Sequence, residues 1–164
     1  MSNSWTLQRD TAVRVLRPEG AVYETAAAQL LHYLNALCGI TEARSQSAPA
    51  IILRTDPSMP PDAFRLVVRG NDLHLVGQNG RGVLYAVFAL AERFGCRFFA
   101  HDTEVIRHPA ELSLPDGLDV TEASPFAYRD LYWIGTTDPL TAVKLRINGT
   151  GLKSGQHIRH LTAE

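Results

Sequence analysis

The spacing of apolar residues predicts a strand and then a helix at the beginning of the chain. Residues 11–17 alternate apolar and polar side chains up to Pro18, as is typical of a strand that ends at a proline. A helix is predicted over Ala21–Cys38, and Gly39 supplies a C-terminal stop. The apolar residues at helical spacing are Val22, Ala26, Leu30, Leu34 and Leu37.

The middle of the chain predicts three strands and a second helix. Residues 48–56 form a nearly continuous apolar run, which is typical of a central strand. Residues 63–79 predict two strands joined across Gly-Asn-Asp at 70–72, a strong hairpin signal. Residues 81–94 predict the second helix, and 96–100 a short strand or extended segment. The apolar face of that helix consists of Leu84, Val87, Phe88, Ala91 and Phe94.

The pattern changes after residue 100. Pro109, Pro115 and Pro125 interrupt short alternating pieces, which predicts extended chain along the domain edge and no second core. Residues 126–133 predict one more strand, and residues 142–151 a helix or strand. The element order predicts an α+β fold, with two helices packed on one face of a mixed or antiparallel sheet. A doubly wound sheet is not predicted, because strict alternation of strands and helices is missing.

Length and charge narrow the class of protein. The 164 residues are enough for one domain with a proper core. A net charge of -1 gives no electrostatic reason to expect nucleic acid or an anionic membrane as partner. No run approaches the roughly 20 apolar residues of a membrane helix. The first ten residues lack the apolar core of a signal peptide, so we expect a cytoplasmic protein as written, and a secreted or periplasmic one if a leader was removed.

Several short motifs resemble ligand-binding or metal-binding sites, but their spacing or composition does not meet the requirements of such sites. The turn Gly77–Gly82 lacks dinucleotide and P-loop spacing, so a tight strand-to-helix turn is the better interpretation. Cys38 and Cys96 predict two small buried thiols, although one disulfide between them stays open. Histidines 101, 108, 157 and 160, with Asp102 and Glu104, do not supply a zinc ligand set, so we expect solvated loop residues, no metal and no cofactor.

The sequence offers no clear catalytic centre. The carboxylates that a general acid and base would need are scattered in turns, and a Gly-x-Ser-x-Gly motif is absent. The carboxylates considered are Glu104, Glu122, Asp130 and Asp138. An aromatic cluster at residues 126–133 surrounds Arg129 and either stacks on sugar rings or fills a core.

Residues 77–100, GQNGRGVLYAVFALAERFGCRFFA, carry a family resemblance together with LSLP at 112–115 and SPFAYRD at 124–130. They resemble the N-terminal α+β domain of bacterial glycoside hydrolases of the α-glucuronidase and β-N-acetylhexosaminidase type. The nearest are uncharacterised bacterial relatives that share an RG-lyAv-fLE-GcRwf signature. The resemblance covers about residues 11–135, and it implies two helices on one face of a sheet. In these families the domain precedes a (β/α)8 barrel that holds the catalytic acids.

The resemblance also implies a domain boundary and substrate-binding residues. Residues 1–124 are expected to be the accessory domain, and 125–164 the incomplete beginning of a (β/α)8 barrel. Residues 125–130 look like the first barrel strand. Arg129 there matches an arginine that binds substrate hydroxyls, whereas Asp130 stands where those enzymes often have glycine. Tyr132 and Trp133 are further substrate-binding candidates beside these two residues.

The resulting expectation is a non-catalytic accessory domain of a glycoside hydrolase-like protein. It would support a sugar-cleaving barrel, with carbohydrate as its partner, and it would not hydrolyse O-glycosyl bonds by itself. One alternative is a stand-alone carbohydrate-binding module that uses Tyr128, Tyr132 and Trp133. Another is a structural domain that forms a homodimer through the unpaired strand edge of its C-terminal segment.

Overall fold

The two long helices lie where the apolar spacing predicts them. A computed structural model describes residues 4–100, 102–131 and 138–149. Helix α1 spans Ala21–Cys38 and ends at Gly39, whose φ of 67° is in the left-handed region that glycine adopts without strain. Helix α2 spans Gly80–Arg93 and begins after Asn79, whose side chain accepts a hydrogen bond from the Gly82 amide. Both predicted helices are confirmed.

A mixed sheet of six strands forms the centre of the described fold. Its strands are β2 (Ala12–Leu16), β3 (Thr41–Glu42), β4 (Ala50–Thr55), β5 (Phe64–Arg69), β6 (Asp72–Gly77) and β10 (Asp119–Glu122), in the order β10-β5-β6-β4-β2-β3. The pairs β2–β3, β2–β4 and β4–β6 are parallel, whereas β5–β6 and β10–β5 are antiparallel. The mixed sheet and the predicted hairpin at residues 63–79 are therefore confirmed.

Both long helices cover the same face of this sheet. Helices α1 and α2 pack against each other, and α2 also packs on β4, β5 and β6. Alternate residues of the strands join the helices in one apolar core, as the period of two in a strand requires. The sheet residues in that core are Val13, Val15, Ile51, Leu53, Phe64, Leu66, Val68, Leu73 and Leu75. A short helix, α3 (Pro139–Lys144), packs against α2.

The first strand, β1 (Ser4–Gln8), is an element that the sequence pattern did not reveal. It pairs antiparallel with β9 (Glu111–Pro115), more than a hundred residues away. Trp5 and Leu7 enter the main core from this strand, and the Trp5 indole donates to the Asn71 carbonyl oxygen at 3.0 Å. Two short strands, β7 (Arg97–Ala100) and β8 (Thr103–Val105), form a further antiparallel pair.

The region after residue 100 differs in part from its prediction. As predicted, the chain there is extended at the domain edge. Its extended pieces, however, are the strands β8, β9 and β10, which pair with β7, β1 and β5 respectively. Residues 125–131 form no strand, so the part of the predicted strand at 126–133 that the structure describes is wrong. A strand needs a partner for its backbone groups, and here Arg129 instead exchanges hydrogen bonds with Asn148 and Gly149. Residues 132–133 lie outside the described residues.

The structure also describes the state of the two cysteines and the character of the helices. Cys38 and Cys96 are both buried and free, as predicted. Among the described residues, no helix combines the length and the apolar character that a bilayer crossing requires.

Candidate functional site

A buried carboxylate, Asp62, lies at the centre of a cluster of polar side chains. It precedes β5 and adopts a φ of 57°, a left-handed conformation that aspartate tolerates better than most residues. Only 9% of it is exposed. The Asn79 amide donates to Asp62 at 3.0 Å, and Arg81 lies 3.3 Å from both carboxylate oxygens. The loop before β5 is thereby tied to the first turn of α2.

Arg129 reaches the same carboxylate from the C-terminal part of the chain. Its Nη2 donates to Asp62 at 3.2 Å and to the Tyr85 hydroxyl at 3.3 Å. Its Nη1 donates to the Phe126 carbonyl and its Nε to the Arg146 carbonyl, each at 2.7 Å. Four of the five N–H groups of a guanidinium are thus engaged within the described residues. One N–H on Nη1 has no partner among the described residues.

Asn148 completes the cluster and fastens the last described segment to it. Its side-chain amide donates to Asp62 at 2.7 Å and to the Ala127 carbonyl at 2.8 Å, and its Oδ1 accepts from the Arg129 amide at 2.7 Å. Gly149 follows, and a Cβ there would lie 2.5 Å from the Asp130 Cβ, so the close approach requires glycine. Asp62 therefore joins residues 126–130 and 148–149 to the main core.

Arg146 fixes the same segment through a second set of contacts. Its guanidinium pairs with Glu122 at 2.9 Å and with Glu92 at 3.1 Å. It also lies over the ring of Phe64, 4.9 Å from the centroid, at a distance where cations are attracted to the ring face.

The charge state of the cluster follows from these contacts. Burial alone would raise the pKa of Asp62, but the hydrogen bonds from Asn79, Asn148 and Arg129 and the charge of Arg81 outweigh it and lower the pKa. Burial raises the pKa of Tyr85. Asp62 is therefore a carboxylate and Tyr85 a neutral phenol at neutral pH. An ionised Asp62 with four donors around it serves as an anchor and is not poised to transfer a proton.

A cavity of about 360 Å³ opens beside the cluster, within the size range of small-ligand sites. Arg129 and Asp130 both line it, so the structure brings these two predicted residues to one place. The Tyr128 hydroxyl donates to Asp130 at 2.7 Å. The other two predicted residues, Tyr132 and Trp133, lie outside the described residues.

Apolar and polar groups share the walls of this cavity. Phe64 and Tyr85 provide rings, whereas Glu122, Ser124 and Arg146 provide polar groups. Such a lining can hold a hydroxyl-rich molecule of the size of a sugar ring. Glu122 pairs with Arg146 at 2.9 Å, so its carboxylate is held by a cation at the cavity wall.

Sequence reasoning missed Asp62, Tyr85 and Asn148. Asp62 follows two prolines in a turn, Tyr85 lies within an apolar helix, and Asn148 precedes a glycine. Each of these contexts is common in structural segments. Only the close approach of three distant segments shows that the side chains belong together.

The glycine-bearing turn at residues 77–82 is a packing device in the structure. A Cβ at Gly77 would lie 2.1 Å from the Val83 amide, and a Cβ at Gly82 would lie 2.6 Å from the Ala63 carbonyl oxygen. The Asn79 side chain already occupies the helix N-terminus as a cap. Among the described residues, no group of three His, Cys, Asp or Glu side chains is arranged to hold a metal. Histidines 101, 157 and 160 lie outside them.

Glu104 is exposed, as predicted, but it lies in a strand and not in a loop. It lies in β8, accepts a hydrogen bond from the Tyr33 hydroxyl at 2.8 Å and pairs with Lys144 at 3.2 Å. His108 is exposed, as expected, and its Nδ1 lies 2.9 Å from the Ala36 carbonyl oxygen. The sequence did not reveal the two partners of Glu104, because they come from α1 and α3, which are distant in sequence.

No family model and no curated protein matches this sequence. Solved structures do contain the fold. A family GH115 4-O-methyl-α-glucuronidase with specificity for decorated arabinogalactans superposes with a TM-score of 0.68 and 16% identity, over 88% of this chain and 25% of that protein. The GH20 exo-β-N-acetylglucosaminidase of Vibrio harveyi, in complex with N-acetylglucosamine, gives a TM-score of 0.57 and 14% identity, over 90% of this chain and 22% of that protein.

A third structure, CpGH84D, gives a TM-score of 0.58 and 15% identity, over 90% of this chain and 28% of that protein. The fold matches one part of glycoside hydrolases. At such identities the likeness concerns the fold alone. This chain spans about a quarter of the length of these proteins, so it corresponds to one domain-sized portion of them.

Proposed function

We propose that this chain is a non-catalytic accessory domain of a glycoside hydrolase-like, carbohydrate-active protein. Its role is to support a sugar-cleaving barrel that is not within the chain. The observation that carries the proposal is the pattern of structural coverage: 88–90% of the chain superposes on about a quarter of each of three such proteins. The residues that resemble a family signature, 77–100, are the ones that build α2 and its two flanking turns.

The Asp62 cluster supports a role in orienting the chain beyond residue 124. Residues 125–164 are proposed to begin the barrel domain and residues 1–124 to form the accessory domain. The contacts of Arg129, Arg146 and Asn148 hold the start of that second segment on the first. Several elements take part in these contacts, so we expect the attachment to be rigid. A rigid attachment fixes the direction in which the chain continues into the next domain.

The cavity supports a secondary role at the edge of a sugar site. Arg129 and Asp130 are proposed to contact substrate there, together with Tyr132 and Trp133. Since only one N–H of Arg129 is without a described partner, we expect it to bind a single hydroxyl. The carboxylate of Asp130 is a matching acceptor for a hydroxyl proton.

An assay with a panel of aryl glycosides tests the proposal. We expect the 164-residue chain to release no aryl alcohol above the buffer rate, because Asp62 and Glu122 are bound to cations and amides. The Arg129→Ala variant is the matched control, and it should behave identically. Turnover by the wild-type chain that Arg129→Ala abolishes would contradict the accessory role.

One observation favours a carbohydrate-binding module as the second candidate. Phe126 and Tyr128 are 69% and 67% exposed beside the cavity, where their rings are accessible to a sugar face. Glycan binding that Tyr128→Ala weakens, without any turnover, would support this candidate over the first.

A further inference from the structure

A second cavity, separate from the Asp62 cluster, lies at the C-terminal end of α2. Its volume is about 460 Å³. The last turn of α2, the Gly95 turn, the start of β7 and residues 107–109 form its walls, and it shares no lining residue with the first cavity. Three arginines and a histidine line it, against one carboxylate. The ionisable side chains are those of Arg93, Arg97, Arg107, His108 and Glu92.

The fold holds two of these arginines in place without neutralising them. Arg97 donates from Nη1 to the Glu92 carbonyl at 2.7 Å and to the Cys96 carbonyl at 2.6 Å, so its guanidinium is fixed at the end of α2. The stem of Arg107 crosses over Gly95, where an added Cβ would lie 3.2 Å from the Arg107 Cβ and Cδ atoms. The φ of 111° at Gly95 also requires glycine.

Arg97 and Arg107 carry positive charge that no ion pair with the described residues balances. Arg107 forms no ion pair or side-chain hydrogen bond with any of them. Glu92, the carboxylate in the lining, pairs with Arg146 at 3.1 Å. Arg93 pairs with Glu122, 3.7 Å away, so it contributes less to the unbalanced charge. Cations that share a concave surface repel one another, and an anion placed among them relieves that repulsion.

We propose that this cavity binds an anionic sugar, through the oxyanion of a uronic acid or of a sulfated sugar. Guanidinium groups bind planar or tetrahedral oxyanions through paired N–H donors. Arg97 and Arg107 are both exposed, so their guanidinium groups are accessible to such an anion. The volume is sufficient for one or two sugar rings beside the charged group. The sugar part of this assignment rests on the proposed function, whereas the oxyanion part rests on the arginines alone.

A nuclear magnetic resonance titration of the full ¹⁵N-labelled chain tests the proposal. The probes are D-glucuronate, glucose 6-sulfate, neutral glucose and inorganic phosphate at constant ionic strength. We expect saturable shifts in the amides of residues 92–97 and 107–108 with glucuronate, glucose 6-sulfate or both, and none with glucose. The acidic sugar that binds identifies the source of the oxyanion.

Two variants make the result specific. Arg107→Gln should weaken binding by about tenfold or more, because a charge-assisted pair is lost. Arg107 has no described partner, so the fold should be retained, and the dispersion of the amide spectrum checks this. Arg69→Gln is the matched control: Arg69 is exposed on β5, outside the cavity, and its binding should equal that of the wild type.

Three outcomes would overturn the proposal. They are equal affinity of the Arg107→Gln variant, shifts confined to other parts of the chain, and phosphate binding as tight as that of either acidic sugar. The last result would show a site for an anion without recognition of a sugar. The proposed function would be contradicted by a different result, turnover of aryl glycosides. That assay does not involve Arg107.

Discussion

At the scale of single residues, the carboxylate of Asp62 connects several segments of the chain. It accepts hydrogen bonds from Asn79, Arg81, Arg129 and Asn148, which come from the start of α2 and from two C-terminal segments. Two guanidinium groups depend on its charge. Removal of the carboxylate would leave those cations without their counter-charge in a half-buried position.

We therefore expect Asp62→Ala to lower the free energy of unfolding by about 3 kcal/mol, the cost of breaking a buried ion pair. Urea denaturation at pH 7 measures this, and Asp116→Ala, in an exposed turn, is the control. A loss no larger than that of the control would contradict the anchoring role.

The same carboxylate predicts a pH dependence. The lowered pKa of Asp62 means that its contribution to stability is complete above the ordinary aspartate pKa of about 4 and is lost as the pH falls through the lower, folded-state value. Asp62→Asn, which tolerates the left-handed φ, should lose less stability between pH 5 and pH 2, about the range of carboxylate titration, than the wild type. Urea denaturation of both proteins across this pH range provides the measurement, and parallel losses would contradict the assignment to Asp62.

At the scale of elements, α2 and its flanking turns combine strong local signals with close backbone packing. Asn79 caps the helix, and the glycines before it and within its first turn allow β6 to approach α2. The segment of residues 77–100 thus combines a capped helix with close backbone contacts. Its residues are constrained by backbone contacts from several directions, and such contacts leave few substitutions acceptable.

Gly82→Ala tests this packing because two effects oppose each other. Alanine is favoured over glycine in a helix by about 1 kcal/mol, but its Cβ would lie 2.6 Å from the Ala63 carbonyl oxygen. Backbone atoms cannot move aside cheaply, so we expect a net destabilisation of about 1–3 kcal/mol.

Thermal denaturation of this variant beside Gly70→Ala provides the measurement. Gly70 has a φ of 58° and no atom within 4 Å of an added Cβ, so its variant carries only conformational strain of about 1–2 kcal/mol. Stabilisation by Gly82→Ala would show that the turn is looser than these distances indicate.

At the scale of the whole molecule, Lys144 connects α3 to four other elements, α1, α2, β7 and β8. Its Nζ lies 5.2 Å from the ring centroid of Phe98, 5.5 Å from that of Tyr33 and 5.9 Å from that of Phe88. The same nitrogen pairs with Glu104 at 3.2 Å. The side chain is 13% exposed, so the cation is largely removed from water and its attraction to the rings is correspondingly stronger.

We expect Lys144→Met to weaken the attachment of α3 by about 1–2 kcal/mol, because the side chain keeps its packing but loses the charge. Hydrogen exchange of the α3 amides should accelerate, while exchange in β4 and β6 stays unchanged. Lys144→Arg keeps the cation and is the control. Unchanged protection of α3 in the methionine variant would contradict this interpretation.

Elements with strong local signals can be predicted from the order of residues alone. The spacing of Leu30, Leu34 and Leu37 and the stop at Gly39 predict α1 to within its observed ends, and the turn residues at 70–72 predict the hairpin. These features depend on neighbours along the chain, and for that reason the sequence reveals them. The α+β class and the single helical face of the sheet follow from the same patterns.

The meeting of distant segments, by contrast, is evident only in the folded chain. The Trp5 strand pairs with residues 111–115, Glu104 lies between Tyr33 and Lys144, and Asp62 joins Arg129 to Asn148. The five-residue strand around Trp5 has too few positions for a periodic signal, and a lone carboxylate in a turn has no signature of its own. Their partners are chosen by the free energy of burying the whole chain at once, in which contacts between remote residues count as much as those between neighbours.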